Sequence, residues 1–361
     1  MSNVLVTGGA GFIGSHVADA LMTRGHAVTV LDDLSGGFET NVPPGASFIR
    51  GSVTDDALVT RTVAAGRFDY VYHLAAYAAE GLSHFVRRFN YTNNVIGSVN
   101  VINAAVNGGV AGLVFASSIA VYGPTSELPV TEAEPLRPAD PYGIAKYAIE
   151  CDLRACRDLF GLPFLVFRPH NVYGPRQNIG DRYRNVVGIF MNQILGNKPM
   201  TIFGDGAQTR AFSYIDDVAS IMADAITTPA AWNQAFNIGA DSACTVRELA
   251  SRVAGAMGVP ADVVHLESRH EAVHARADQP NLRFAFRRYF DDDTHRAIFT
   301  DVSLAALLRA HRLTLELVQP RFLPYSLRGA GAFVHPWLVR AYLHSPVKPL
   351  AGQMLVVARK A

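Results

Sequence analysis

Short, flat hydrophobic runs alternate with stretches of helical spacing through the first half of the chain. Val4–Val6, Val28–Leu31, Tyr70–Leu74, Leu113–Ala116 and Phe164–Phe167 are apolar runs without strand-like alternation. Such runs predict strands of a parallel sheet covered on both faces. Between them, Ile13–Arg24 and Val95–Asn107 carry apolar residues at helical spacing. The alternation predicts an α/β protein with a doubly wound parallel sheet over residues 1–174. Beyond residue 175 short strands, short helices and Gly/Pro turns predominate, as at Gly196–Pro199 and Gly204–Gly206. This texture predicts a smaller α/β substrate domain over 175–280, with segments near 207–240 returning to the first domain. Residues 281–361 form an atypical Arg- and aromatic-rich tail.

Composition narrows the function classes. Of 361 residues 49% are hydrophobic, and 32 Lys and Arg face 31 Asp and Glu. No long basic run points to nucleic acid or an anionic membrane surface. No apolar run reaches the roughly 18 residues of a spanning helix, and no signal peptide is recognisable. Cys151, Cys156 and Cys244 lack metal-ligand spacing and are odd in number, which predicts free thiols and a cytoplasmic protein.

The first strand runs into Thr7-Gly8-Gly9-Ala10-Gly11-Phe12-Ile13-Gly14 and then a helix. Glycines at 8, 11 and 14 allow a tight turn and let backbone N–H groups approach a pyrophosphate at a helix N-terminus. The second strand ends at Asp32-Asp33, about the separation at which an acid binds the adenosine ribose. Asp32 repels a 2′-phosphate, so NAD is expected rather than NADP. Together these features predict a Rossmann-type cofactor domain. Further on, Tyr142 and Lys146 stand four residues apart, on one face of a helix. Lys146 lowers the phenol pKa and suits Tyr142 to act as a base. Ser118 precedes Tyr142 by 24 positions and ends a predicted strand, where open parallel sheets place their ligand crevice.

The glycine motif, the Ser117-Ser118-x-x-Val121-Tyr122-Gly123 segment and Tyr142-x-x-x-Lys146 occur in the order and spacing of the extended short-chain dehydrogenases/reductases. Arg168-Pro-His-Asn-Val-Tyr-Gly-Pro-Arg176 and Phe203-Gly-Asp-Gly-x-x-Thr-Arg210 also look like blocks of that family. Residues 1–280 thus resemble its NAD-dependent epimerases and dehydratases, and in particular its nucleotide-sugar 4-epimerases. The resemblance implies that Ser118, Tyr142 and Lys146 are catalytic. It places NAD against Gly8, Gly11, Phe12, Ile13, Gly14, Asp32, Asp33, Ser52, Val53, Leu74, Ala75, Ala76, Asn94 and His170, besides Tyr142 and Lys146. It places the nucleotide sugar, expected to be a UDP-hexose, against Asn171, Asn185, Val186, Thr201, Phe203, Arg210 and Arg269, besides Ser118. It also implies a homodimer.

Relatives that eliminate water carry acidic residues directly after the catalytic Ser or Thr. Ile119-Ala120 stands there, and neither side chain moves a proton. Epimerisation at carbon 4, which needs only oxidation and re-reduction, is therefore the expected reaction. A 4-ketoreductase or uronic-acid epimerase would use the same residues, and net NADH consumption would identify the reductase. A silent NAD-binding scaffold has no need of the intact Ser118, Tyr142 and Lys146. Two departures from the family bear on substrate recognition. Gly51-Ser52 replaces the usual Gly-Asp, and Tyr77–Arg88 lacks the usual proline. His270-Glu271-x-x-His274 fits a zinc signature formally, but it falls in an epimerase-like block and no metal is expected. The tail resembles the C-terminal part of a class I methyltransferase without a second glycine-rich loop, so no methyl transfer is expected.

Overall fold

The computed structural model describes residues 1–124, 129–181, 185–240 and 242–267, and the strands Leu313–Gln319 and Leu355–Lys360. Seven parallel strands form the central sheet: β1 (Asn3–Thr7), β2 (Ala27–Asp32), β3 (Ser47–Arg50), β4 (Tyr70–His73), β5 (Gly112–Ala116), β6 (Phe164–Pro169) and β7 (Gln234–Ile238). Their order is β3-β2-β1-β4-β5-β6-β7. Val4 of β1 lies between Val28 of β2 and Tyr70 of β4. Strand order therefore reverses beside β1, which opens a crevice at the carboxyl ends of β1 and β4.

Helices cover both faces. α1 (Phe12–Thr23) packs on one face, and α2 (Asp56–Gly66), α3 (Gly97–Gly108) and α4 (Pro141–Phe160) on the other. All five residues of β5 are buried, as its flat apolar run requires. Fully covered Leu113, Ile149 and Leu153 each stabilise the fold by about 1.5–3 kcal/mol. Helix α4 starts where it does because Asp140 accepts the Tyr142 and Gly143 N–H groups at 2.9 and 3.0 Å, with Pro141 at the first turn. Gly161 ends it at φ +73°, a left-handed turn that costs glycine little.

The expected helix over Val95–Asn107 begins earlier, through Arg87–Tyr91 and a wide π-type turn at Thr92–Ile96. The turn places the Asn94 amide against the Tyr77 backbone, donating to its carbonyl at 3.0 Å and accepting its N–H at 2.7 Å. A second, smaller core joins α5 (Val186–Leu195), the strand Met200–Phe203 and α7 (Val246–Ala256) through Phe190, Ile202 and Leu249. Between them α6 (Ile215–Asp224) packs on α1, and β7 follows in the main sheet.

The chain divides into compact units at residues 1–269 and 270–361. Within the second, Leu313–Gln319 pairs antiparallel with Leu355–Lys360, with a register shift between Leu315 and Leu317. Arg269 and the His270–His274 motif lie outside the described residues, as does most of the tail. No helix among the described residues is long and apolar enough to cross a membrane.

Candidate active site

A cleft of about 430 Å³ follows the carboxyl edge of the sheet, from the turn after β1 to the end of β6. Each glycine of that turn has its own steric reason. Gly8 turns at φ +75°, and a Cβ there would meet the Ala75 backbone nitrogen at 2.6 Å. A Cβ on Gly14 would run into the Gly8 carbonyl, so Gly14 lets α1 pack onto the turn. Gly11 lines the cleft, and a Cβ there would touch only the Gly8 carbonyl, at 3.1 Å. Its bare Cα leaves the N-terminus of α1 open to a ligand, and that terminus carries N–H groups without helical partners. Asp32 closes this end. Its carboxylate accepts the Ala10 N–H at 3.0 Å and the Leu34 N–H at 2.8 Å. Burial raises the pKa of Asp32, and the Leu34 and Ala10 N–H groups pull it back.

Ser118, Tyr142 and Lys146 meet at the other end. Ser118 follows β5 and begins a short helical turn, its Oγ accepting the Ala120 N–H at 3.2 Å. Tyr142 and Lys146 lie one turn apart on α4, with Lys146 Nζ 5.8 Å from the Tyr142 ring centre and 4.7 Å from that of Phe115. Lys146 is 2% exposed and donates to the Ala116 carbonyl at 2.7 Å. Burial pushes its pKa down to about 7, against the opposing pull of Glu150. Beneath it His73 is fully buried and joins Thr7 Oγ1 at 2.7 Å to Ser98 Oγ at 2.8 Å. Burial, then the Lys146 charge, holds His73 down to about 3, so it is a neutral strut.

The cleft wall brings together most of the residues expected there: Gly8, Gly11, Phe12, Ile13, Gly14, Asp32, Asp33, Val53, Leu74, Ala75, Ala76, Ser118, Tyr142, Lys146, Asn171 and Asn185. Asn171 adopts φ +41° and donates to the Ala211 carbonyl at 3.0 Å. Asn185 caps α5 through the Val187 N–H. Ser52, Asn94, His170, Val186, Thr201, Phe203 and Arg210 do not line the cleft. Ser52 hydrogen-bonds Thr54, and Thr201 accepts from Gln193. Asn94 works from below through Tyr77. Arg210 donates to the Thr209 carbonyl and is close enough to act electrostatically on Glu80 and His170.

Several wall residues were not expected from the sequence: Ser35–Gly37, Glu80, Phe89, Asn93, Gln177 and Asn178. Glu80 lines the cleft and is exposed to solvent. Burial and the Asp140 charge raise its pKa, and Arg210 opposes them. The departure of Tyr77–Arg88 from the family pattern was the one signal for it. Behind the cleft, Glu150 accepts two hydrogen bonds from Arg168, at 3.0 and 2.6 Å, and one from Ser117 at 2.6 Å. Among the described residues no cluster of three or more His, Cys, Asp or Glu is arranged to hold a metal ion.

Residues 4–239 match the model of the NAD dependent epimerase/dehydratase family. The UDP-glucose 4-epimerase of Mycolicibacterium smegmatis is 38% identical over 262 residues, 71% of this chain and 83% of that protein. A UDP-glucose 4-epimerase from Thermotoga maritima, solved with UDP-glucose, superposes with a TM-score of 0.71 at 37% identity, covering 74% of this chain and 86% of that one. The Thermus thermophilus UDP-glucose 4-epimerase, solved with NAD, gives 0.68 at 34% identity, covering 77% and 94%. The glycine turn, Asp32 and the Ser118–Tyr142–Lys146 group thus stand on the fold these enzymes share, and the chain belongs to the NAD-dependent epimerase/dehydratase family.

Proposed function

We propose that the protein is an NAD-dependent 4-epimerase of a UDP-hexose, of the UDP-glucose/UDP-galactose type. The observation that carries this reading is the convergence of Ser118, Tyr142 and Lys146 on one cleft with the glycine turn and Asp32. The cradle suits NAD: Gly11 leaves room at the α1 N-terminus, and the Asp32 carboxylate favours ribose hydroxyls over a 2′-phosphate. When bound, NAD would supply a reversible hydride acceptor for carbon 4.

This chain's own residues manage the proton and the geometry. Tyr142, as phenolate, takes the proton of the 4-hydroxyl, and Ser118 hydrogen-bonds the same oxygen. Lys146 favours the phenolate by its charge and offers its remaining donors to the nicotinamide ribose. Asn171 and Asn185 contact the nucleotide, and Arg210 and Arg269 hold its phosphates. Ile119 and Ala120 supply no proton-transfer group after Ser118, so the oxidised sugar keeps its 6-hydroxyl and is reduced again on its other face. The open cleft gives the sugar room to turn.

The reading includes a cytoplasmic location, supported by three unpaired cysteines. It also includes a homodimer, supported by Ile96 and Ile144, 52% and 43% exposed beside the active-site helices. The central test is Tyr142→Phe, assayed by NMR on UDP-glucose and UDP-galactose. Phe keeps the ring, so folding and bound NAD survive while turnover falls on the order of 100- to 10,000-fold. Turnover within a few-fold of wild type would remove Tyr142 from the mechanism.

A further inference from the structure

The cleft contains a carboxylate that the reaction above does not use. Glu80 lines the cleft together with Ser118, Tyr142 and Asn171. The backbone around it is held on both sides. The Tyr77 N–H and carbonyl are both held by the Asn94 amide, and Asn94 donates to Asn90 at 2.8 Å. Asn90 in turn donates to the Pro141 carbonyl at 2.9 Å. Ser83 closes the other side, with its hydroxyl within 2.6 Å of the Glu80 carbonyl and 3.3 Å of Asp140. Pro141 and Asp140 begin the helix that carries Tyr142. The backbone of the segment bearing Glu80 is thus tied to the start of the helix that carries Tyr142.

We propose that Glu80 selects the sugar: it accepts hydrogen bonds from the hydroxyls of a neutral hexose and rejects a hexuronic acid, whose C6 carboxylate would enter the same cleft as a second negative charge. The inference rests on the nucleotide-sugar reading of this site and narrows its substrate class. Two carboxylates in one cleft repel each other, and the repulsion grows as bound substrate displaces the water between them. Hydroxyls instead find in Glu80 a carboxylate acceptor, whose oxygens accept no hydrogen bond from the described residues. The charges of Asp140 and Arg210 act on Glu80 in opposite senses. Arg210 is also proposed to hold a phosphate, and a substrate diphosphate would occupy that charge rather than leave it to neutralise a sugar carboxylate.

The experiment compares UDP-glucose with UDP-glucuronic acid on the NAD-loaded full chain, in wild type and Glu80→Gln. Turnover is read by NMR and binding by calorimetry. Glutamine keeps the shape and a hydrogen-bond acceptor while removing the charge. Wild type should bind UDP-glucose at least about tenfold more tightly than UDP-glucuronic acid, and Glu80→Gln should close most of that gap by improving the uronate. Any loss on UDP-glucose should appear in KM rather than in kcat, because Glu80 is proposed to bind hydroxyls and not to move a proton. A wild-type enzyme that binds the uronate as tightly as the neutral sugar overturns the proposal, as does an unchanged ratio in Glu80→Gln. A loss of about 100-fold or more in kcat on UDP-glucose with intact binding also overturns it, because Glu80 would then be moving a proton. The nucleotide-sugar reading fails differently: UDP itself would then not bind wild type or variant.

Discussion

Lys146→Met should make the protein more stable at neutral pH while abolishing its activity. Lys146 is 2% exposed, and burial lowers its pKa from 10.5 to about 7. A lysine whose folded pKa lies below its unfolded value weakens the folded state. The penalty is fully present below about pH 7, where both states hold the proton, and fades as pH rises toward 10.5, where both have lost it. At about 1.4 kcal/mol per tenfold change in proton affinity, it amounts to about 4–5 kcal/mol. Methionine removes the charge and is flexible enough to fill a similar space. It also removes the 2.7 Å hydrogen bond to Ala116, which costs about 1–3 kcal/mol for an acceptor left unmet. The net expectation is a gain of about 1–4 kcal/mol near pH 6.5, shrinking and then reversing toward pH 10.5. Urea unfolding of wild type and variant stripped of NAD measures it, since bound NAD would add its own pH-dependent stabilisation. A variant less stable than wild type at pH 6.5, or a difference that does not change with pH, would show that the cleft does not desolvate Lys146 as argued.

Glu150→Ala should destabilise the fold by about 3–5 kcal/mol in urea unfolding, because it strands the buried Arg168 guanidinium; a loss below about 1 kcal/mol would mean Arg168 finds another partner or water. Gly14→Ala should yield protein without stoichiometric NAD, since the new methyl collides with the Gly8 carbonyl and displaces α1 from the turn. Full NAD content, read from the supernatant after denaturation, would refute that account of Gly14.

The sequence revealed the interior of the sheet and missed its edges. β1, β2, β4, β5 and β6 are covered on both faces, and apolar residues fill most of their length with the buried polar ones near the carboxyl ends, so their runs are flat. β3 and β7 lie at the two edges. Their half-exposed residues, Ser47 to Arg50 and Gln234 to Phe236, dilute the hydrophobic signal on which the pattern depends. The site divides in the same way. Gly8, Gly11, Gly14, Asp32, Tyr142 and Lys146 are legible because turn geometry and helical spacing fix their local separations. Glu80, Gln177 and Asn178 reach the cleft from loops, where no periodicity ties position to direction. The partnership of Glu150 with Arg168 and Ser117 spans 18 and 33 residues, and nothing local to Glu150 announces it.

That partnership explains why the site can be accurate on a strand end. Tyr142, Lys146 and Glu150 follow one another at intervals of four along α4, so they descend one side of the helix in successive turns. Tyr142 reaches the cleft. One turn deeper, Lys146 holds the Ala116 carbonyl, and one turn deeper again Glu150 holds the Ser117 hydroxyl. The Ser117 N–H is meanwhile bound to the Phe167 carbonyl of β6 at 2.7 Å. Residues 116 and 117 are therefore anchored by the same helix that carries the proposed base, and Ser118 comes next. A shift of α4 would carry Tyr142 and the anchors of Ser118 together, preserving their separation. Arg168 fixes Glu150 from β6 and reaches Tyr122 at 2.6 Å, beyond the turn that Ser118 begins. The segment from Ala116 to Tyr122 is thus held before and after Ser118, and the serine keeps its place relative to Tyr142 without a rigid loop of its own.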